Sequence, residues 1–500
     1  MKKVTKVFYI TISLVLIAVL TAALMPAAYE RVTGNITAWL STTFGWYYML
    51  AMTFVLLVAF FLVISPYGKI RLGKPEDRPE FSTPTWVAML FSAGLGIGLV
   101  FYGSYEPLSH FAIQTASAEP GTEAAFQESM QRTFMHYGFN AWAMYGMVAL
   151  ALAYFQFRKG ERGLISSTLK PLFGKKMNGG WGTLIDVIAI FATVFGVASS
   201  LGFGAAQING GLSFLFGIPN NNWSQLLIIA VITVLFILSA WSGLSKGIKY
   251  LSNINMVLAV LLLVLVLILG PTLLILNVFT QSFGEYIQNI LSLSMNTEAF
   301  NSGNREWLDA WTIFYWAWWI SWSPFVSMFI ARVSRGRTIR EFLVYVVLVP
   351  TVLCAIWFAA FGSAAIDIQQ SGIADLTAGA VETTLFMMFN EMPFGFGLSI
   401  IAILLLLTFF ISSADSATFV LGMQSTNGSL TPDNSVKVVW GILQSAIAAI
   451  LLSVGGLAAI QNTIIIAALP FSFVMLLMVW SLLKALKGDA RLMAGKKKAS

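Results

Sequence analysis

Residues 311–325 read WTIFYWAWWISWSPF. Tryptophan normally gathers where a membrane meets water. Trp311 and Trp316 fit that habit, but Trp318, Trp319 and Trp322 fall near the middle of their apolar run. Phe314, Trp318, Trp322 and Phe325 recur at spacings of three and four, so on a helix they form one stripe. Such a stripe is either packed core or the wall of a cavity. A buried indole N–H needs a partner, and a cavity supplies one more readily than an apolar interface. Tyr137, Trp142 and Tyr145 form a second aromatic group, with Trp142 and Tyr145 on one face. Rings of this kind attract a cation that cannot donate hydrogen bonds. Each desolvated contact contributes about 2 kcal/mol. Three or four would give roughly 6–8 kcal/mol before losses, near the ~8 kcal/mol of a micromolar complex. An ammonium or guanidinium ligand would ask for carboxylates beside the rings. These stretches contain none, which points to a permanently charged, methylated cation.

Residues 93–98 read AGLGIG. Gly94 and Gly98 fit a GxxxG packing face. Gly96 adds a third glycine between them, and each weakens a helix by roughly 1 kcal/mol. Backbone groups freed at mid-membrane are tolerated only where they line a cavity or meet a ligand. A discontinuous helix at a substrate and ion site is therefore expected here. Residues 409–416 read FFISSADS. Hydroxyls inside a helix commonly bond their own backbone. With unwound carbonyls from 92–96, however, Ser412 and Ser413 would give an all-oxygen shell suited to a hard monovalent cation. Glu106, Asp186 and Asp415 are the main carboxylates near helix interiors. Such groups mark function by default, and a structural, hydrogen-bonded role is the equal alternative.

The elements that must carry these residues are set by composition. The 500 residues are 58% hydrophobic and 10% charged, against about 25% charge in soluble domains. Apolar runs long enough to cross a bilayer recur throughout. They fall near 7–28, 44–65, 84–112, 131–157, 185–217, 223–243, 252–277, 307–331, 341–363, 396–422, 436–457 and 463–483. The first run follows Lys2, Lys3 and Lys6 but is too long for a signal-peptide core, so it reads as a retained helix. All but Arg31, Arg132 and Arg305 of the 29 Lys and Arg residues lie in alternate loops and at the two ends. That alternation supports twelve crossings with both termini in the cytoplasm. It also explains the net charge of +7 without any nucleic-acid partner. Residues 279–297 are amphipathic, with Phe283, Tyr286, Ile287 and Ile290 on one face, and read as a helix along the outer surface. Residues 380–391 are too short to cross and read as another surface helix. The sole cysteine, Cys354, excludes a disulfide framework. With two histidines and no HExxH, phosphate loop or GxSxG motif, no enzyme and no cofactor are expected. A sensor would need a soluble output domain, and the chain has no room for one.

The tryptophan run resembles the signature of the betaine/carnitine/choline transporters. GLGIGLVFYGSYEPL (94–108), FATVFG (191–196) and SSADS (412–416) are similar to other blocks of that family, in the same order. The resemblance spans about 5–485. It implies an all-α polytopic membrane protein with a LeuT-like fold, built as two inverted five-helix repeats after two peripheral helices. The corresponding divisions are 1–83 for the peripheral pair, 84–278 and 307–484 for the repeats, 279–306 for the surface helix and loop, and 485–500 for a short basic cytoplasmic tail. It further implies homotrimers among membrane lipids, alternating access and a small quaternary-ammonium substrate. The family's aromatic box falls on Tyr137, Trp142, Tyr145, Phe314, Trp318, Trp319 and Trp322, beside Gly94, Gly96 and Gly98. One family sodium site falls on Ser92, Leu95, Phe409, Ser412 and Ser413. The other falls on Thr193, Val197 and Phe325, where Val197 replaces a threonine hydroxyl and puts the second ion in question. Sodium-independent exchangers of the family carry a basic residue in the fifth span; 185–217 has none, so sodium symport is expected. Gly98 stands where choline carriers tend to have an acid, and Val326 where carnitine carriers favour methionine. Glycine betaine is therefore the expected substrate, with choline or carnitine transport, including sodium-independent exchange, the alternative.

Overall fold

The structure is a computed structural model that describes residues 4–94, 96–242, 244–429 and 431–499, with 88, 91–94, 242, 244–249, 302 and 490–499 described by backbone alone. The described residues are overwhelmingly helical. Among them there is no strand, only one isolated bridge between Arg71 and Thr338. Nine of the described helices are long and apolar enough to cross a membrane. The tryptophan helix Phe314–Val333 is not one of the nine, because its tryptophans and serines dilute its apolarity. Nor is the third expected span, which is broken into Thr83–Gly94, Ile97–Tyr102 and Tyr105–Leu108. Gly96 between the first two pieces is extended, at φ −122° and ψ −159°. The expected discontinuity is present.

The last long helix, Asn434–Ala499, is interrupted at Gly455 and Gly456. Gly456 has a φ of +59°, a conformation that suits only glycine without strain. The turn expected near 458–462 thus falls a few residues earlier.

Other expectations need correction. The second helix begins at Pro26, not near 44, and runs 39 residues to Ile64. Proline is pre-organised for a helix's first turn and needs no N–H partner there, so the chain re-enters a helix at once after Met25. The seventh span ends at Leu269, because Pro271 cannot continue the ladder and restricts Gly270 before it. The following helix, Thr272–Met295, therefore starts earlier than expected. Its packed stripe is Ile275, Ser282, Tyr286 and Leu293. Ile287 is 49% exposed and lies off that stripe. The short helix Thr384–Asn390 exists, but Leu385, Phe386, Met388 and Phe389 are buried, so it is packed in rather than laid on the surface.

The basic loops expected on one side do meet. The Arg71 guanidinium donates to the Gly336 carbonyl at 2.5 Å. The Arg158 guanidinium donates to Asp489 at 2.5 Å and to the Gly73 carbonyl at 3.2 Å. The base-poor segments meet separately through helical residues: Arg305 donates to the Ser41 carbonyl at 2.6 Å, and Gln127 to Glu285 at 2.7 Å.

Candidate functional site

The tryptophan helix sits at the centre, packed against Phe139–Ala153, Gly180–Phe216 and the C-terminal helix. It tolerates Pro324 through a local repair. Proline removes the N–H that would bond the Ile320 carbonyl, and the Ser323 hydroxyl donates to that carbonyl instead, at 2.8 Å. Ser327 donates to the Tyr145 carbonyl at 3.0 Å and ties this helix to the fourth span.

The fourth span is also broken. Glu123–Tyr137 and Phe139–Ala153 meet at Gly138, whose φ and ψ are −98° and −144°. A Cβ there would crowd the Phe134 carbonyl and the Tyr286 hydroxyl. The Phe139 amide, freed by the break, donates to Tyr286 Oη at 2.9 Å. The amphipathic segment thus props the kink that aims Tyr137.

Between these elements lies a tight cavity of about 30 Å³, room for roughly two waters. Tyr137, Tyr145, Trp318, Trp319 and Trp322 line it together with Gly96, Gly98, Leu99 and Ser200. Trp319 is the hub. Its ring centroid is 5.4 Å from Tyr137 and 5.2 Å from Tyr145, both edge-on, and 6.3 Å from Trp318. Its N–H donates to the His136 carbonyl at 2.9 Å. The Trp322 N–H donates to the Gly196 carbonyl at 2.5 Å. The glycines allow the close approach. A Cβ on Gly98 would overlap the Trp318 ring, and one on Gly96 would stand 3.4 Å from Trp322. Two polar groups in the lining, Trp318 Nε1 and Ser200 Oγ, are buried without a hydrogen-bond partner. Groups left so are costly unless something else meets them.

Of the expected residues, Trp142 and Phe314 are not in the lining. Trp142 is buried behind Tyr145 and donates to the Tyr137 carbonyl at 3.0 Å. Phe314 stacks on Trp318 with centroids 5.7 Å apart and planes 20° apart. Both brace rings that do line the cavity. Gly94 ends the helix before the break. Ser200 and Leu99 were missed. Gly196, Ser200 and Gly204 recur every four residues along Gly180–Phe216, a stripe of small residues facing the tryptophan helix and the broken span, and that spacing was the available signal for Ser200.

Leu95 lies outside the described residues, and Ser92 is described by backbone alone, so the first ion shell is seen from one side. Ser412 Oγ bonds the Phe409 carbonyl at 3.2 Å and accepts from Asn255 Nδ2 at 2.8 Å. Asn255 Oδ1 is buried without a partner. Asn255 was missed, and it adds an oxygen to that neighbourhood. Ser413 is half-buried. At the second place the Thr193 hydroxyl bonds the Ala189 carbonyl at 2.8 Å, Val197 is buried, and Phe325 packs edge-on against Trp322 at 5.6 Å.

Asp186 and Asp415 are hydrogen-bonded by neighbours. Asp186 accepts from the Ser166 amide at 2.9 Å and hydroxyl at 2.7 Å, and Asp415 from Ser239 at 2.7 Å. Glu106 differs. It is fully buried in contact with His136 Nδ1 at 2.7 Å and with the Tyr315 hydroxyl, and 3.5 Å from His110 Nε2. The ligand atoms of Glu106, His110 and His136 lie within 4.8 Å of one another. Tyr315 and Thr312 already bond this group, so it reads as a hydrogen-bonded cluster. Tyr137 Oη lies 3.3 Å from Tyr315 Oη. A carboxylate that the sequence marked only as lying near a helix interior therefore stands one hydroxyl behind the box.

Comparison with known proteins gives a consistent set. A model of the family described as "BCCT, betaine/carnitine/choline family transporter" matches residues 6–491. The chain is 56% identical over 491 residues to the glycine betaine transporter OpuD of Bacillus subtilis, covering 98% of this chain and 96% of that one. It is 44% identical over 494 residues to a probable glycine betaine transporter of Desulfitobacterium hafniense, covering 98% of each. It is 41% identical over 490 residues to the ectoine/hydroxyectoine transporter of Virgibacillus pantothenticus, covering 97% of each.

Proposed function

Since the chain belongs to the betaine/carnitine/choline family of transporters, we propose that it imports glycine betaine as an osmoprotectant, by sodium symport with alternating access. The observation that carries this reading is the cavity's division of labour. Aromatic rings suit a methylated ammonium, and the unpartnered donors Ser200 and Trp318 suit a carboxylate. No charged side chain is among the described lining residues, which suits a neutral zwitterion. The names of the Bacillus and Desulfitobacterium relatives support the same substrate.

The proposed architecture is twelve crossings in the cell membrane, both termini cytoplasmic, with two inverted repeats at 84–278 and 307–484 in a LeuT-like arrangement and a homotrimeric assembly among lipids. Counting the broken third span, the tryptophan helix and the two halves around Gly456 brings nine candidates to twelve. Sodium is proposed as cargo held by Ser412, Ser413 and the carbonyls of Phe409, Ser92 and Leu95. Thr193 and Phe325 form the second, weaker place. One sodium moving inward at ~150 mV gains about 3.5 kcal/mol, and a tenfold gradient adds ~1.4 kcal/mol. Together these support roughly 10³- to 10⁴-fold accumulation of a neutral zwitterion.

The test is uptake of radiolabelled glycine betaine into proteoliposomes with and without a sodium gradient, in competition with choline, carnitine and proline betaine. Sodium-dependent uptake, blocked better by proline betaine than by choline, is expected. Uptake indifferent to sodium would favour the exchanger.

A further inference from the structure

Glu106 has no part in the cavity lining, yet it is the fully buried acid beside it. Its hydrogen bonds define its state. The Trp307 indole donates to His110 Nδ1 at 3.3 Å, so the His110 proton sits on Nε2 and faces Glu106. His136 Nε2 lies 2.9 Å from Thr312 Oγ1, the hydroxyl's one partner among the described hydrogen bonds. On its other side His136 Nδ1 lies 2.7 Å from Glu106, within hydrogen-bond reach. The Tyr315 hydroxyl donates to the other carboxylate oxygen. Tyr315 thus donates to one carboxylate oxygen and His136 Nδ1 lies 2.7 Å from the other, with His110 Nε2 3.5 Å away and not hydrogen-bonded; these contacts suit a carboxylate. The nearby Arg132 lies over the Trp307 ring at 5.0 Å and pairs with Glu128 at 3.2 Å and Glu298 at 3.6 Å rather than with Glu106.

A buried charge without a partner is expensive. The chain of phenols shows where its partner comes. Tyr315 gives its proton to Glu106, so its oxygen is free to accept from Tyr137, 3.3 Å away. Tyr137 shares that proton with the Gly98 carbonyl, also at 3.3 Å. Both phenols are oriented with their oxygen-to-hydrogen dipoles running toward Glu106, and their rings are made more electron-rich. We infer that the Glu106 carboxylate is the fixed counter-charge of the transported ammonium, acting through Tyr315 on the Tyr137 face of the box. The inference rests on the substrate reading above and adds that the box selects charge, not just methylated shape. At an effective dielectric constant of about 20, attraction of the ammonium less repulsion of the ligand's own carboxylate a few Å farther off leaves roughly twofold to threefold in affinity.

The test compares two ligands of one shape: glycine betaine, and tert-butylacetate, in which carbon replaces the nitrogen. Equilibrium binding of radiolabelled betaine, and its displacement by tert-butylacetate, are measured on the purified full chain. Wild type, Glu106→Gln and Tyr315→Phe are compared. Glu106→Gln should weaken betaine about twofold to threefold while leaving tert-butylacetate unchanged or tighter. Tyr315→Phe, which keeps the ring and cuts the link, should show the same selective loss in smaller measure, and it decides the matter if Glu106→Gln does not insert. Equal losses for both ligands would make Glu106 a purely structural group and overturn the inference alone. A wild type that binds no betaine would overturn the substrate reading and the inference with it.

Discussion

Trp319 and His136 are joined by one hydrogen bond, the indole N–H donating to the backbone carbonyl at 2.9 Å. That carbonyl belongs to the last turn of Glu123–Tyr137, where helical partners run out. The break at Gly138 thus does two things. It turns Tyr137 into the cavity, and it leaves an acceptor that anchors the ring opposite.

Trp319→Ala removes both a wall and an anchor of the box. Loss of one desolvated ring contact of about 2 kcal/mol corresponds to about thirtyfold weaker binding. Trp319→Phe keeps a ring without the N–H and should fall between. Equilibrium binding of radiolabelled betaine reads the series, and wild-type affinity in Trp319→Ala would contradict the box.

Ser200→Ala removes a buried donor without a protein partner. A hydrogen bond to a charged group is worth about 1.5–3 kcal/mol, so betaine should bind roughly tenfold to a hundredfold more weakly. Choline, which has no carboxylate, should compete as well as before. A parallel loss of choline would place Ser200 outside the carboxylate subsite.

Gly98→Ala puts a methyl group where the Trp318 ring lies. The indole must move or the backbone must yield. At least tenfold higher KM for betaine is expected, with normal insertion in the membrane. An unchanged KM would show that Trp318 is free to shift.

Val197 offers no side-chain oxygen at the second ion place. One sodium per betaine is the expected stoichiometry in proteoliposomes held at set membrane potentials. Ser412→Ala should raise the sodium concentration for half-maximal uptake severalfold. A measured ratio of two would assign the second ion to other oxygens.

Tyr286→Phe leaves the Phe139 amide without its acceptor, at a cost of about 1–3 kcal/mol. The thermal midpoint of the detergent-solubilised protein should fall by several degrees with little change in KM. If the midpoint holds, the kink is fixed by Gly138 alone.

Much of this was legible in the sequence because it rests on composition and spacing. The three alternating glycines foretold the extended Gly96, and the aromatic periodicity placed Trp318 and Trp322 on one stripe, to which the family resemblance added Trp319. What escaped has local causes. Gly138 is one of two isolated glycines in its span, with Gly146, and only the neighbouring Tyr286 shows why a kink there is satisfied. The helix from Pro26 looked like a loop because Glu30, Arg31 and Asn35 interrupt its apolarity. Trp142 and Phe314 share faces with lining residues, but the cavity is too small for every ring of the stripes to reach it. The environment of Glu106 comes from three separate spans, so no single stretch of sequence could reveal it.

The most direct measurement is a density map of the protein bound to sodium and glycine betaine. The trimethylammonium group should lie enclosed by Tyr137, Tyr145, Trp319 and Trp322, with the carboxylate toward Ser200 and Trp318. Substrate density elsewhere along the path, with that cavity closed and empty in a transport-competent preparation, would contradict it.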